Sequence, residues 1–228
     1  MTIAFPLMAL LGKSWFDWAD AVATPIVVVV IAGAFGFFSR RVDQRAQTER
    51  ELQDDRAKEE TLRSYLDRIS ELVLEKGLVD SDNDSPVRAI ALARTHNALT
   101  RLDGSRKGLL VKFLKESQLI SNGRTVISLV LADLTNSNLG SVDLRACNFS
   151  GANLRSAYFD GSDLRESNFE NCVLTGADLR WCNLENCGLT NRQLAQCAEL
   201  AGATLPNGDL ATEQTLQQLK EEDEELSS

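Results

Sequence analysis

An apolar residue recurs at every fifth position of one long stretch of the chain, from Leu129 to Leu189. Its thirteen positions hold either leucine or phenylalanine: Leu129, Leu134, Leu139, Leu144, Phe149, Leu154, Phe159, Leu164, Phe169, Leu174, Leu179, Leu184 and Leu189. Two positions before each of them stands a small or compact residue, and between the two there is usually Asp or Asn. This period matches neither the roughly 3.6 residues per turn of a helix nor the alternation of a strand. Unbroken over thirteen units, it predicts a repeat architecture.

The spacing predicts that two of every five side chains point into a shared core while the other three face water. A chain that turns a corner after each unit and stacks its turns meets this demand, so we expect a solenoid over 127–189. Leu and Phe fill its axis, and the position two before them is small because the inner walls converge there.

The units ADLTN at 132–136, ANLRS at 152–156 and ADLRW at 177–181 resemble the pentapeptide repeat family, whose consensus is A(D/N)Lxx. This resemblance implies a mainly β solenoid: a right-handed, quadrilateral β-helix with four units per coil and about three coils, about 4.8 Å apart. The helical region ahead of the repeats resembles the corresponding part of membrane-anchored bacterial members of the family, of the cyanobacterial type.

An uncharged run, 21–38, predicts one transmembrane helix within 15–39, after a short N-terminal segment, 1–14. As a helix the run is about 27 Å long, close to the thickness of a hydrocarbon core. Trp15 and Trp18 suit the membrane interface, and arginines follow from Arg40 onward. The excess of positive charge after the helix places the N-terminus outside and the repeats in the cytoplasm, at the plasma membrane or an internal one.

The segment between membrane and solenoid predicts two helical parts, a charged stalk over 40–79 and a basic helical pair over 85–120 that caps the solenoid. The stalk acquires an apolar stripe from Leu62 onward. Sustained heptads are missing, so a homo-oligomer through the stalk stays open. The helical pair carries a candidate basic docking patch: Arg88, Arg94, Arg101, Arg106, Lys107, Lys112 and Lys115.

Three partners compete for the basic patch: an acidic protein neighbour, anionic lipid headgroups and nucleic acid. We favour the protein neighbour. Nucleic acid is the least expected, because the formal net charge of the chain is −9 and such a charge opposes non-specific binding to phosphates.

Four units per coil make residues twenty apart neighbours in a column. One side of the solenoid then carries a candidate partner patch of Tyr158, Asp160, Arg180 and Trp181, with Asp160 under Arg180 as an exposed ion pair. Exposed aromatics flanked by arginine are enriched at interface hot spots. The alternative is that single apolar residues on a surface need no explanation. Beyond the repeats we expect a C-terminal cap over 190–210 and a disordered acidic tail over 211–228.

The cysteines predict structural thiols and no metal site or cofactor. Four of the five occupy the small inward position of the repeat, Cys197 lies in the cap, and there is no CxxC motif. The single histidine, His96, is remote. No nucleophile and base are paired in the sequence and no glycine-rich phosphate loop is present, so we expect a protein that is not an enzyme.

Anchor, stalk and solenoid together predict a membrane-anchored scaffold that presents the repeats to an unidentified protein partner. Two alternatives stay open. Some pentapeptide repeat proteins resemble DNA and protect type II topoisomerases, but the eight carboxylates and four arginines of these repeats are a modest excess for that role. The other alternative is a membrane-organising protein that binds anionic lipids.

Overall fold

The structure is a computed structural model. It describes residues 15–120 and 125–227, with the backbone alone at 15–43, 213, 226 and 227. The helices of the described residues are α1 (Trp15–Leu74), α2 (Pro86–Arg101), α3 (Gly104–Glu116), α4 (Asn191–Ala195) and α5 (Glu213–Ser227). Residues from Arg56 onward form a compact unit of their own.

The predicted transmembrane segment, 21–38, belongs to the part of α1 that is described by its backbone alone. The predicted N-terminal segment, 1–14, lies outside the described residues. Among the residues described with their side chains, no helix is both long and apolar enough to cross a membrane. The anchor and its orientation stay predictions.

Parallel bridges between residues twenty apart build the solenoid. Asp133 pairs with Asn153 and Asn153 with Val173, and the other three sides repeat this step. Four five-residue units therefore make one coil, as the resemblance implies, while the hand of the winding stays a prediction. The thirteen leucines and phenylalanines that define the repeat are all buried. Phe149 and Phe169, one above the other, stack with ring centroids 5.2 Å apart.

Each corner is a β-turn, and at most corners one side chain caps it. At the first corner the N–H of Ala132 donates to the carbonyl of Leu129 over 3.1 Å, and the residue before Ala132 has a positive φ, as a type II turn requires. The residue in that place has a φ between +52° and +74° at every corner from 131 to 186. Where an Asp or Asn precedes the Leu or Phe it caps the corner, as when Asp143 Oδ1 accepts the Arg145 N–H over 3.1 Å. This bond explains the preference for Asp and Asn.

Hydroxyl and thiol groups at the small inward position bond to the coil before. Ser162 donates to the carbonyl of Leu139, Ser167 to that of Leu144 over 2.7 Å, and the Cys182 thiol to that of Phe159 over 3.1 Å. Each acceptor lies 23 residues earlier.

Ser137 has no such partner because its coil is the first. The residue 23 positions earlier is Leu114 in α3, whose carbonyl accepts the Leu119 N–H over 2.9 Å. The Ser137 hydroxyl is buried without a hydrogen bond.

Helix α3 covers the N-terminal edge of the solenoid at backbone contact. The carbonyl of Gly104 accepts the N–H of Asn138 over 2.9 Å. A Cβ atom on Gly108 would lie 1.8 Å from the carbonyl oxygen of Asn138. The buried Lys107 ammonium donates to Thr135 Oγ1 over 3.0 Å. Asp103 caps the helix, its carboxylate accepting the Arg106 N–H over 3.0 Å.

The solenoid continues past Leu189, where the sequence predicted its end. Asp178 pairs with Glu199 and Asn183 with Thr204, now 21 residues apart, so one extra residue is accommodated around α4. An antiparallel bridge between Thr204 and Leu210 follows.

The prediction of a disordered tail over 211–228 is wrong for 213–227, which form α5. Leu219 is buried and Leu216 packs against the core. Arg192 of α4 pairs with Asp223 over 3.5 Å. The tail folds because these two leucines lie three positions apart on one side of a helix, which the acidic composition concealed.

We expect Ser137→Ala to stabilise the protein by about 1 kcal/mol, because it removes a buried hydroxyl that has no partner. Ser167→Ala should destabilise it by about 1 kcal/mol, because it removes the hydrogen bond that Ser167 donates to the carbonyl of Leu144 and the one that it accepts from the Cys147 N–H. Urea unfolding of both variants measures the two free energies of unfolding. If Ser137→Ala destabilised the protein as much as Ser167→Ala, the Ser137 hydroxyl would have a hydrogen-bond partner, contrary to the structure.

Gly108→Ala should destabilise the protein by about 2 kcal/mol, because overlap with a backbone carbonyl forces α3 away from the first coil. This outweighs the preference of alanine for a helix. Gly188→Ala is the matched control, since a Cβ there has no atom within 4 Å. Urea unfolding should give a lower free energy of unfolding for Gly108→Ala than for Gly188→Ala. Equal free energies would show that α3 does not lie in backbone contact with the first coil at Gly108.

Candidate functional site

One side of the solenoid carries the predicted partner patch. It consists of 138–141, 158–161, 178–181 and 199–202, stacked by the bridges Asn138–Tyr158, Tyr158–Asp178 and Asp178–Glu199. We call this side the Trp181 face. It brings all four predicted patch residues together.

Tyr158 is held in place from two directions. Its hydroxyl donates to Asp160 Oδ2 over 2.9 Å, and its ring covers Gly140, where a Cβ would lie 2.8 Å from Tyr158 Cε1. The hydrogen bond to Asp160 raises the pKa of Tyr158. The phenol is 38% exposed, so the ring presents a fixed, partly open surface.

Arg180 pairs with Asp178, two residues before it, and the predicted ion pair with Asp160 is not formed. Arg180 Nε lies 3.0 Å from Asp178 Oδ1 and Nη2 lies 2.7 Å from Oδ2. The same D-L-R spacing joins Asp143 to Arg145 and Asp163 to Arg165. An ion pair between residues two positions apart in one coil loses less side-chain entropy than an ion pair with a residue of the next coil. The repeated spacing was the sequence signal for this pairing.

Trp181 has an unfavourable backbone conformation for a bulky residue and is largely exposed. It occupies the left-handed corner position with φ +56°, and its side chain is 67% exposed. A bulky residue in this region is a conformational outlier and costs about 1–2 kcal/mol. The indole lies over Gly202, where a Cβ would be 2.3 Å from its Cε3. Strained and exposed, the residue contributes little to the core, which is typical of a functional position.

A family model described as Pentapeptide repeats, in 8 copies, matches residues 127–165 and 152–191. Residues 127–191 are pentapeptide repeats. No curated protein matches the chain.

Two solved structures of pentapeptide repeat proteins are similar to this chain. HetL, a pentapeptide repeat protein involved in heterocyst differentiation regulation from the cyanobacterium Nostoc sp. strain PCC 7120, is 28% identical over 37% of this chain and 41% of its own, with a TM-score of 0.22. A pentapeptide repeat protein from the Arabidopsis thaliana thylakoid lumen is 23% identical over 39% of this chain and 64% of its own, with a TM-score of 0.15. The match thus spans less than two thirds of either relative.

The predicted basic patch is not one exposed surface next to the pentapeptide repeats. Arg88 and Lys107 are buried, and Arg88 donates to Asn83 and to the carbonyl of Thr125. Lys115 donates to the carbonyl of Arg145 over 2.6 Å. The cations were predicted as a surface because a sequence shows charge but not the acceptors that meet it.

The other cations of the patch divide into paired and groove-lining residues. Arg106 pairs with Asp103 and Glu59, and Lys112 lies 3.9 Å from Glu116. Arg94 and Arg101 line a groove of about 730 Å³ between α1 and α2.

All five cysteines are buried free thiols. Burial raises the pKa of Cys147 and Cys187 to about 11, and that of Cys172, Cys182 and Cys197 to about 12. Neutral thiols are poor nucleophiles and poor metal ligands. Among the residues that the structure describes, no group of His, Cys, Asp and Glu could hold a metal ion.

Carboxylates of the repeats have lowered pKa values because arginines donate to them. The hydrogen bond from Arg145 lowers the pKa of Asp143 to about 2, and Arg165 and Arg180 lower those of Asp163 and Asp178. A folded pKa below the unfolded one means that this stabilisation is complete above about pH 4 and is lost as the pH falls towards 2.

Asp143→Asn should reduce the loss of stability between pH 4 and pH 2, because it removes a group that protonates in that window. Its amide oxygen can still accept the Arg145 N–H, so at pH 7 it should lose only the contribution of the charge, which is the part that the native protein loses between pH 4 and pH 2. Asp143→Ala loses that bond too and should cost about 1 kcal/mol at pH 7. Unfolding free energies measured from pH 7 to pH 2 test this, and an unchanged acid slope in Asp143→Asn would contradict it.

Proposed function

We propose that the protein is a non-enzymatic scaffold, anchored in a membrane by residues 21–38, whose pentapeptide repeats present the Trp181 face to a protein partner. The observation that carries the proposal is Trp181 itself, a large aromatic side chain exposed at a strained corner. Interface hot spots are enriched in tryptophan, tyrosine and arginine, and Tyr158 and Arg180 share this face.

The way the repeats use their residues supports a binding role. Leu and Phe fill the axis, and the thiols are buried and neutral. On the Trp181 face Arg180 is held by Asp178 and Tyr158 by Asp160, so these side chains are ordered before any partner arrives. Pre-organisation of this kind lowers the entropy cost of association.

The membrane part of the proposal is supported by sequence. The uncharged run and the arginines after it are typical of a single span with its N-terminus outside. The repeats would then work on the cytoplasmic side of a plasma or internal membrane.

The two alternatives have less support. Four carboxylates of the repeats are paired with cations, Asp133 with Lys107 and three with arginines, which reduces the negative field that a DNA mimic needs. An anionic-lipid surface lacks the basic patch, since several of its cations are bound within the protein.

Trp181→Ser combined with Tyr158→Ala should abolish capture of a protein partner by the full-length protein from detergent-solubilised membranes of the source cell. Leu131→Ser is the matched control, because Leu131 also occupies a left-handed corner over a glycine and is 73% exposed. Quantitative mass spectrometry compares the captured proteins.

The unfolding free energy of the Trp181→Ser single variant should equal or exceed that of the native protein, because serine occupies the same position at Ser141 and Ser156. Loss of the partner is then not caused by unfolding. A partner retained by the double variant, or lost equally with Leu131→Ser, would overturn the proposed face.

A further inference from the structure

The charges of the Trp181 face are unequal. Its outward positions carry Asp160, Asp178 and Glu199 against Arg180. Two hydrogen bonds of 3.0 and 2.7 Å tie Arg180 to Asp178, so this pair is close to neutral as seen by a partner. Asp160 and Glu199 are left as the net charge of the face.

Asp160 has acceptor capacity to spare. Within the described residues its carboxylate accepts one hydrogen bond, from the Tyr158 hydroxyl to Oδ2. A carboxylate has about four acceptor sites. The remaining sites are available to donors of another molecule.

Asp160 and Trp181 lie in neighbouring coils at adjacent positions. The N–H of Gly161, the residue after Asp160, donates to the carbonyl of Arg180, the residue before Trp181, over 2.9 Å. The indole extends toward Gly202 in the following coil, so between one and two coil spacings of about 4.8 Å separate the ring from the carboxylate. One extended lysine or arginine side chain can bridge this separation.

From this juxtaposition we infer that the Trp181 face binds a basic segment of its protein partner, with a lysine or arginine side chain against the Trp181 indole and its charge directed at Asp160. This inference rests on the proposed function and names the chemistry of the partner. A cation over an indole is attracted by the ring quadrupole. An acidic segment would be repelled by Asp160 and Glu199, and an apolar one would leave Asp160 desolvated without a partner.

Two synthetic peptides of equal length test the inference, one of lysine and serine in alternation and one of glutamate and serine. The full-length protein is kept in neutral detergent, and Trp15→Phe and Trp18→Phe leave Trp181 as the remaining one of three tryptophans. Binding is measured by the anisotropy of a label on the peptide, and contact with the site by Trp181 fluorescence.

The lysine peptide should change Trp181 fluorescence in a saturable manner, and the glutamate peptide should not. Asp160→Asn should weaken binding about threefold to fivefold, and Trp181→Leu about fivefold. Glu170→Gln is the matched control: it removes the same charge from an exposed position on another side and should leave the affinity unchanged.

Equal weakening by Glu170→Gln and Asp160→Asn would show attraction by the overall charge and overturn the inference. Equal binding of the glutamate peptide, or Trp181-dependent binding to anionic vesicles in place of the peptide, would overturn it too. A partner whose capture depends on Trp181, together with no response to the lysine peptide, would refute the basic chemistry and leave the proposed function standing. A response to the peptide with no Trp181-dependent partner would refute the scaffold role and leave the cation site.

Discussion

The backbone hydrogen bonds between residues twenty apart are the constraint on which the rest of this structure depends. They require each coil to return to the same place after four units, so every unit must turn a corner in the same way. An Asp or Asn cap and a left-handed corner residue supply that turn, and a small residue and a Leu or Phe fill the space inside. Because each coil repeats the one before, side chains twenty positions apart form columns. The neighbours of an outward residue are therefore set by this register and not by closeness in the sequence.

A ladder of this kind ends in exposed edges, and the protein covers each edge differently. At the N-terminal edge α3 approaches at two glycines and offers Lys107 and Lys115 to the acceptors of the first coil. The C-terminal edge is covered by a coil with one extra residue, an antiparallel turn and the α4–α5 pair. Edges covered in this way are closed to strand addition.

The sides of the solenoid differ in how much of their charge is neutralised by ion pairs within the protein. Arginines close back on the Asp two residues before them, and these pairs neutralise much of the outer surface. The Trp181 face departs from this pattern by combining an exposed indole, a tyrosine held over a glycine and a carboxylate with spare acceptor capacity. A residue that costs conformational energy and adds little to the core is better explained by binding than by folding.

The sequence by itself determined the period, the inward and outward positions and the burial of the thiols, because these follow from a local pattern repeated thirteen times. It also marked Tyr158, Asp160, Arg180 and Trp181 as one patch, since a fixed register of twenty makes distant residues neighbours. Tertiary structure alone decided which charges meet. Arg88 and Lys107 are buried because acceptors from distant segments bind them. The tail is folded because Leu216 and Leu219 pack against the core. Composition records charge and polarity, whereas the partner that neutralises a charge or covers an apolar face is set by contacts far apart in the chain.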